Sequence, residues 1–166
     1  MTGNRITLVE ADVSHKYNYW ELLNNEINQR LIGDPINERD MDDTEDWLSR
    51  KQTDVNTKLF SIFTSADFCG YVQVVNIHFA NLTGVFGINL VPTWQGRGVG
   101  REAMLLLNEY CRNQLGLRKL ILHVRADNMP AVRLYQSLNY RTVGHLRDHI
   151  IGEDGLHDEL IMELFL

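Results

Sequence analysis

The stretch from Gln95 to Gly100, Gln-Gly-Arg-Gly-Val-Gly, is the part of this chain best suited to holding a ligand. Glycines on alternate positions 96, 98 and 100 make poor interiors for a strand or a helix, where each costs about 1 kcal/mol relative to alanine. They suit a backbone that turns tightly and lies close to a bound group. Before them, Val85 to Val91 reads as a strand; after them, Val99, Ala103, Leu106, Leu107 and Tyr110 recur at helical spacing. A strand, a glycine loop and a helix N-terminus together present free N–H groups and a positive dipole end, which bind phosphate. The spacing fits neither G-x-G-x-x-G nor the Walker A pattern, which needs Gly-Lys-Ser/Thr. It fits Q-x-x-G-x-G, with Gln95, Gly98 and Gly100 at the fixed positions.

Other reactive side chains are sparse. Cys69 and Cys111 are the only cysteines and both sit in apolar contexts, which reads as buried free thiols in a reducing, cytoplasmic setting. The acidic run from Asp40 to Asp46 suits a solvated helix start better than a metal site. Asp148, His149, Asp154, His157 and Asp158 surround a turn and match no metal-ligand spacing, so no metal is expected. The net charge of −6 argues against nucleic acid and is compatible with cationic substrates. No apolar run reaches membrane length, and there is no signal-peptide pattern.

The elements that must position the loop follow in order. Arg5 to Val9 is a strand, and Tyr17, Trp20, Leu23 and Ile27 form a helical stripe. Asn24 to Arg30 and Asp34-Pro35-Ile36 read as polar and turn-prone. A second helix carries Trp47 and Leu48. Leu59 to Phe63, Phe68 to Phe79 and the strand from Val85 form an antiparallel meander. After the loop helix, Gly116 stops the chain, and Lys119 to Val124 is a strand. Asn128 and Pro130 start a helix with the stripe Ala131, Leu134, Tyr135, Leu138. Two strands close the sheet around a turn at 152–155. This predicts an α/β (mixed α+β) fold in one domain spanning 1–166. About seven strands form a central mixed, largely antiparallel sheet, flanked by about four helices.

That order, and two motifs within it, resemble the GNAT superfamily of N-acetyltransferases over almost the whole chain. The first motif is Val85–Val91, Pro92 and Gln95–Gly100 with its helix. The second is Asp127-Asn128-Met129-Pro130-Ala131 followed by Leu134-Tyr135-Gln136-Ser137-Leu138-Asn139-Tyr140, where Asn139 and Tyr140 stand in place of the family's Gly and Phe. The resemblance implies a sheet splayed after its fourth strand, with the pantetheine arm of acetyl-CoA in the opening. It places the pyrophosphate on the backbone of Gln95, Gly96, Arg97, Gly98, Val99 and Gly100. Backbone groups of Ile88 and Leu90 would pair with the arm, and Asn128 would contact it or serve as a plain helix cap. Arg97 would add charge at the phosphates or face solvent.

Tyr135 is the expected proton donor to the departing thiolate, a role compatible with a core position on its helix stripe. The base is less defined. Many relatives carry a Glu on the fourth strand, where this chain has Val85, Gly87 and Asn89. His78, Glu26, Asp34 or a water chain are the alternatives. The expected reaction is acetyl transfer from acetyl-CoA to a primary amine, small-molecule or peptide, by direct attack in a ternary complex. A nucleotide-linked amino sugar is the favoured acceptor. A ribosomal-protein-type N-terminus, a polyamine, or a non-catalytic acyl-CoA sensor are the other readings. A homodimer is compatible with all of them.

Overall fold

The computed structural model describes residues 5–32, 38–65, 67–152 and 154–166. Asp34, Pro35 and Ile36, and Glu153 in the closing turn, lie outside the described residues. Seven strands make one sheet: β1 (Thr7–Glu10), β2 (Lys58–Phe63), β3 (Phe68–His78), β4 (Thr83–Leu90), β5 (Lys119–Arg125), β6 (Arg141–Gly152) and β7 (Gly155–Phe165), in the order β1-β2-β3-β4-β5-β7-β6. The helices are α1 (Lys16–Leu23), α2 (Glu26–Ile32), α3 (Met41–Thr53), α4 (Val99–Asn113) and α5 (Met129–Ser137). All pairings are antiparallel except β4–β5.

That parallel pairing is short. It joins Thr83 to Lys119, Gly84 to Leu120 and Val85 to Ile121, and no further. Beyond Val85 the β5-facing edge of β4 is released, while β5 continues against β7 as far as Arg125 and Glu159. The sheet is therefore splayed in its middle, as expected.

The two faces carry different cores. On one, α4 and α5 cover Val72, Val74, Phe86, Leu120, Leu122 and Met162. The periodicity of α4 turns Val99, Ala103, Met104, Leu107 and Cys111 inward. Shortening a fully buried side chain such as Leu107 to Ala would cost about 2–5 kcal/mol. On the other face, Tyr19 and Leu22 of α1 and Leu48 of α3 pack with Leu59 and Tyr71.

The described residues form five α-helices, in line with the about four expected. The stripe from Tyr17 to Ile27 breaks at Asn24–Asn25 into α1 and α2, and Tyr17 and Ile27 themselves are exposed. The stretch Asn24–Arg30, read as turn-prone, is largely helical. Its inward positions belong to polar Asn28 and Gln29, because each finds a backbone carbonyl: Asn28 Nδ2 donates to Leu90 O at 3.0 Å and Gln29 Nε2 to Leu23 O at 2.6 Å. Buried polar side chains with such partners leave no apolar pattern to read.

Candidate functional site

The opening between β4 and β5 is lined by backbone on one side. Val91 N–H bonds to Cys69 O on β3, so by strand alternation Ile88 and Leu90 direct their N–H and C=O groups to the released edge. Both positions expected to pair with an extended ligand thus face the gap, where Leu90 O already accepts from Asn28 Nδ2 and Gln95 Nε2. The edge runs into Pro92–Trp94, a 3-10 turn, and then the glycine loop.

Gly98 is the N-cap of α4, at φ +83°, a left-handed conformation that side-chain-bearing residues rarely adopt. A Cβ there would also lie 2.7 Å from Arg5 Nη2. The first N–H groups of α4, from Val99 and Gly100, therefore open the helix with no side-chain cap, which leaves them for an anion. Gly96, Arg97 and Gly98 are exposed, and the Arg97 guanidinium lies 5.3 Å from the Trp94 ring centroid. Gln95 turns back instead of outward: its Nε2 donates to Leu90 O and Asn28 Oδ1, each at 3.2 Å.

Tyr135 projects from α5 toward the point where the strands part. Its ring meets Phe86, the first residue of β4 past the last parallel pair, edge-on at 6.4 Å, and Tyr140 at 6.0 Å. It is 8 % exposed, and burial pushes its phenol up to about 12, so it stays protonated through the physiological range. Its hydroxyl has no hydrogen-bond partner among the described residues. Asn128 caps α5, its Oδ1 accepting from Ala131 N at 3.3 Å, which fills the cap role and leaves its Nδ2 uncommitted to that bond.

The other candidates do not join this group. His78 is exposed at the β3–β4 hairpin, where its Nδ1 accepts from Asn81 N at 3.1 Å. It stands at the opposite end of β4 from the glycine loop, beyond an eight-residue strand about 23 Å long. Glu26 is exposed in the first turn of α2, 4.0 Å from Arg30. Asp34 lies outside the described residues. Cys111 is fully buried, which raises its thiol to about 12. His145 pairs with Asp158 at 2.6 Å, while His157 joins Asp154 at 2.7 Å to Asp127 at 3.2 Å and Arg125 Nη2 at 2.9 Å, beside the β6–β7 hairpin.

Three residues of the site escaped the sequence reading. Arg5 clasps the loop from just before β1: its Nη1 donates to Arg97 O at 3.2 Å, and its Nε and backbone N reach Glu102 at 3.4 and 2.9 Å. Asn28, 2 % exposed, holds α2 to the β4 edge. Arg125, 7 % exposed at the end of β5, donates to Arg30 O at 2.7 Å and to both Asp127 oxygens at 3.0 and 2.6 Å. The Arg125 guanidinium holds the Asp127 carboxyl below its usual range. α2 is thus tied to both lips of the opening, to β4 through Asn28 and to β5 through Arg125. Beside the end of β4 a cavity of about 570 Å³ is lined by Asn18, Glu21, Asn25, Asp67, Trp94 and Arg97, among others.

A mixed sheet split between two parallel strands, with a glycine loop at the end of the split and a helix on each side, is a fold of the GNAT type. The chain belongs to the acetyltransferase (GNAT) family, whose description matches residues 19–140. It is 32% identical over 77 residues to spermidine N(1)-acetyltransferase of Vibrio cholerae, a match covering 46% of this chain and 44% of that protein. It is 34% identical over 80 residues to the [ribosomal protein bS18]-alanine N-acetyltransferase of Escherichia coli K12, covering 48% and 53%. The aligned part spans about half the length of these relatives. Among solved structures, spermidine N-acetyltransferase from Vibrio cholerae in complex with CoA and spermine superposes with a TM-score of 0.92 at 22% identity, over 98% of this chain and 96% of that one. No described helix is long and apolar enough to cross a membrane.

Proposed function

We propose that the protein transfers an acetyl group from acetyl-CoA to a primary amine, with polyamines as the acceptor class to be placed first. The observation that carries this is the released edge of β4 at Ile88 and Leu90, ending in an uncapped helix N-terminus. That edge fits an extended amide-bearing arm, added like a strand, and the loop fits its phosphates. A Cβ on Gly100 would meet Leu134, Leu90 and Ile88 side chains at 3.3 to 3.9 Å, so the helix start is packed closely against the edge it serves.

The bound thioester would supply an acyl carbon and a thiol leaving group. The chain's own residues then divide the work. Gln95–Gly100 hold the phosphates, and Ile88 and Leu90 hold the arm in register with β4. The amine attacks the carbonyl, forming the C–N bond as the C–S bond breaks. Tyr135 hands its proton to the departing sulfur and regains one from solvent, and the nitrogen loses its extra proton to water. Free CoA and the N-acetylated amine result. Tyr135 approaches from the α5 face, which leaves the α1–α3 face to the amine.

The relatives named above act, by their names, on spermidine and on a ribosomal-protein alanine. They support a polyamine or a peptide N-terminus ahead of the amino sugar first favoured from sequence. The negative net charge suits a cationic acceptor. Thiol release from acetyl-CoA should be measured with spermidine, an alanine-initiated peptide and a nucleotide-linked amino sugar. Turnover highest with spermidine supports the reading. Tight CoA binding with no thiol release from any of the three would favour a sensor and overturn it.

A further inference from the structure

We propose that Asn89 and Gln73 are catalytic residues that meet the two charges created when an amine attacks the acyl group. The inference rests on the acetyl-transfer reading above. Asn89 and Gly87 alternate with the ligand-facing Ile88 and Leu90, so their α-carbons direct substituents to the α1–α3 face. Gln73 lies opposite Gly87 on β3, and its side chain covers that glycine: a Cβ on Gly87 would be 3.1 Å from Gln73 Nε2. Asn89 is opposite Tyr71 and only 6 % exposed.

Among the described residues, Gln73 Oε1 and Asn89 Nδ2 are buried with no hydrogen-bond partner. Such atoms are rare in folded proteins because each costs stability, and they call for a reason. One is an acceptor and the other a donor, on neighbouring strands, on the α1–α3 face that the mechanism proposed above gives to the amine. Attack makes the nitrogen positive and the carbonyl oxygen negative. Gln73 Oε1 can accept an N–H of the nitrogen, and Asn89 Nδ2 can donate to the oxygen, after rotation about the soft terminal torsion of an amide. A donor left unpaired in the ground state and satisfied only as charge develops is the form that electrostatic catalysis takes. Neither amide titrates, so neither is the base. Their presence in this corner is consistent with a strand that carries no carboxylate between Thr83 and Leu90.

The test uses Asn89→Leu and Gln73→Met, which keep volume and remove the polar atoms. Melting temperature, CoA affinity by calorimetry and spermidine-dependent thiol release are read on the full chain. In both variants the melting temperature should rise by about 2–4 °C, as an unpaired buried group is removed. CoA affinity should stay within twofold. Asn89→Leu should lower kcat by roughly 10²-fold, and Gln73→Met by roughly tenfold, with the shape of the pH profile unchanged. A stabilised variant with wild-type kcat overturns the assignment, and so does a lowered melting temperature, which would mark the amides as structural. Should one variant fail to fold, the other decides. Wild-type protein that binds CoA but acetylates no amine overturns the transferase reading itself and the assignment with it; active wild type with indifferent variants overturns the assignment alone.

Discussion

The two sides of the opening are built on different principles. On the α4–α5 side the site rests on apolar periodicity: Val99, Ala103 and Leu107 seat one helix, and Val132, Tyr135 and Leu138 are buried where the other meets the sheet. In the proposed reading, function there lies in backbone geometry and a single phenol. On the α1–α3 side the site rests on polar side chains that each reach a particular backbone carbonyl: Asn28 that of Leu90, Arg125 that of Arg30, Asn24 that of Arg39. The first kind of construction tolerates exchange of one apolar residue for another as long as the stripe and its volume survive. The second fails singly, because a buried polar group without its partner is costly.

Substitutions on each side should separate these two behaviours. The largest effect is expected at Tyr135. Tyr135→Phe should lower turnover roughly 10²-fold, with CoA affinity and melting temperature near wild type. Because burial holds the wild-type phenol near 12, kcat should show no falling limb between about pH 8 and 10 from loss of this proton. Rates of the Phe variant within twofold of wild type, measured where chemistry limits turnover, would return Tyr135 to a packing role.

Next comes the loop. Gly98→Val places a β-carbon on a left-handed residue and against Arg5, and should weaken CoA binding at least tenfold, roughly 1.4 kcal/mol. Calorimetry on a folded variant with unchanged affinity would remove the loop from the site.

A smaller and differently shaped effect is expected on the acceptor side. Asn28→Ala should cost about 1 kcal/mol of stability and raise the spermidine KM several-fold, while CoA affinity moves less than threefold. An equal loss for both ligands would erase the distinction between the two sides. At Asp127 the sign is set by its lowered folded-state pKa: the Arg125 contact stabilises above the unfolded value of about 3.9 and is lost as pH falls through the folded one. The stability gap between wild type and Asp127→Asn should accordingly close in acid, and a gap independent of pH would show that the ion pair contributes nothing.

The smallest effect belongs to the cysteines. Both are buried and both thiols are raised by burial. Cys69→Ala and Cys111→Ala should keep turnover within a few-fold, and an acetyl group trapped on either would instead imply a ping-pong route.

The sequence by itself determined the strands, the glycine loop, the helices after Gly98 and Asn128, and so the cofactor side of the opening. These are local: a 3.6-residue stripe, a glycine that takes positive φ without strain, an Asn that caps the helix it begins. It also carried the family, since Q-x-x-G-x-G and Leu-Tyr sit in contiguous segments. Tertiary structure alone decided where α1 ends and α2 begins, because Asn28 and Gln29 turn inward for carbonyls at Leu90 and Leu23 that no helical pattern announces. It alone put Arg5 on a loop 92 residues away and Arg125 on the end of α2 95 residues away. It alone brought the unpaired buried Gln73 Oε1 and Asn89 Nδ2 together on neighbouring strands, since strand register, and not residue type, fixes which side chains share a face. Apolar periodicity is written in the chain because many residues share one requirement. A single polar contact between distant segments is written nowhere until the fold brings its two halves together.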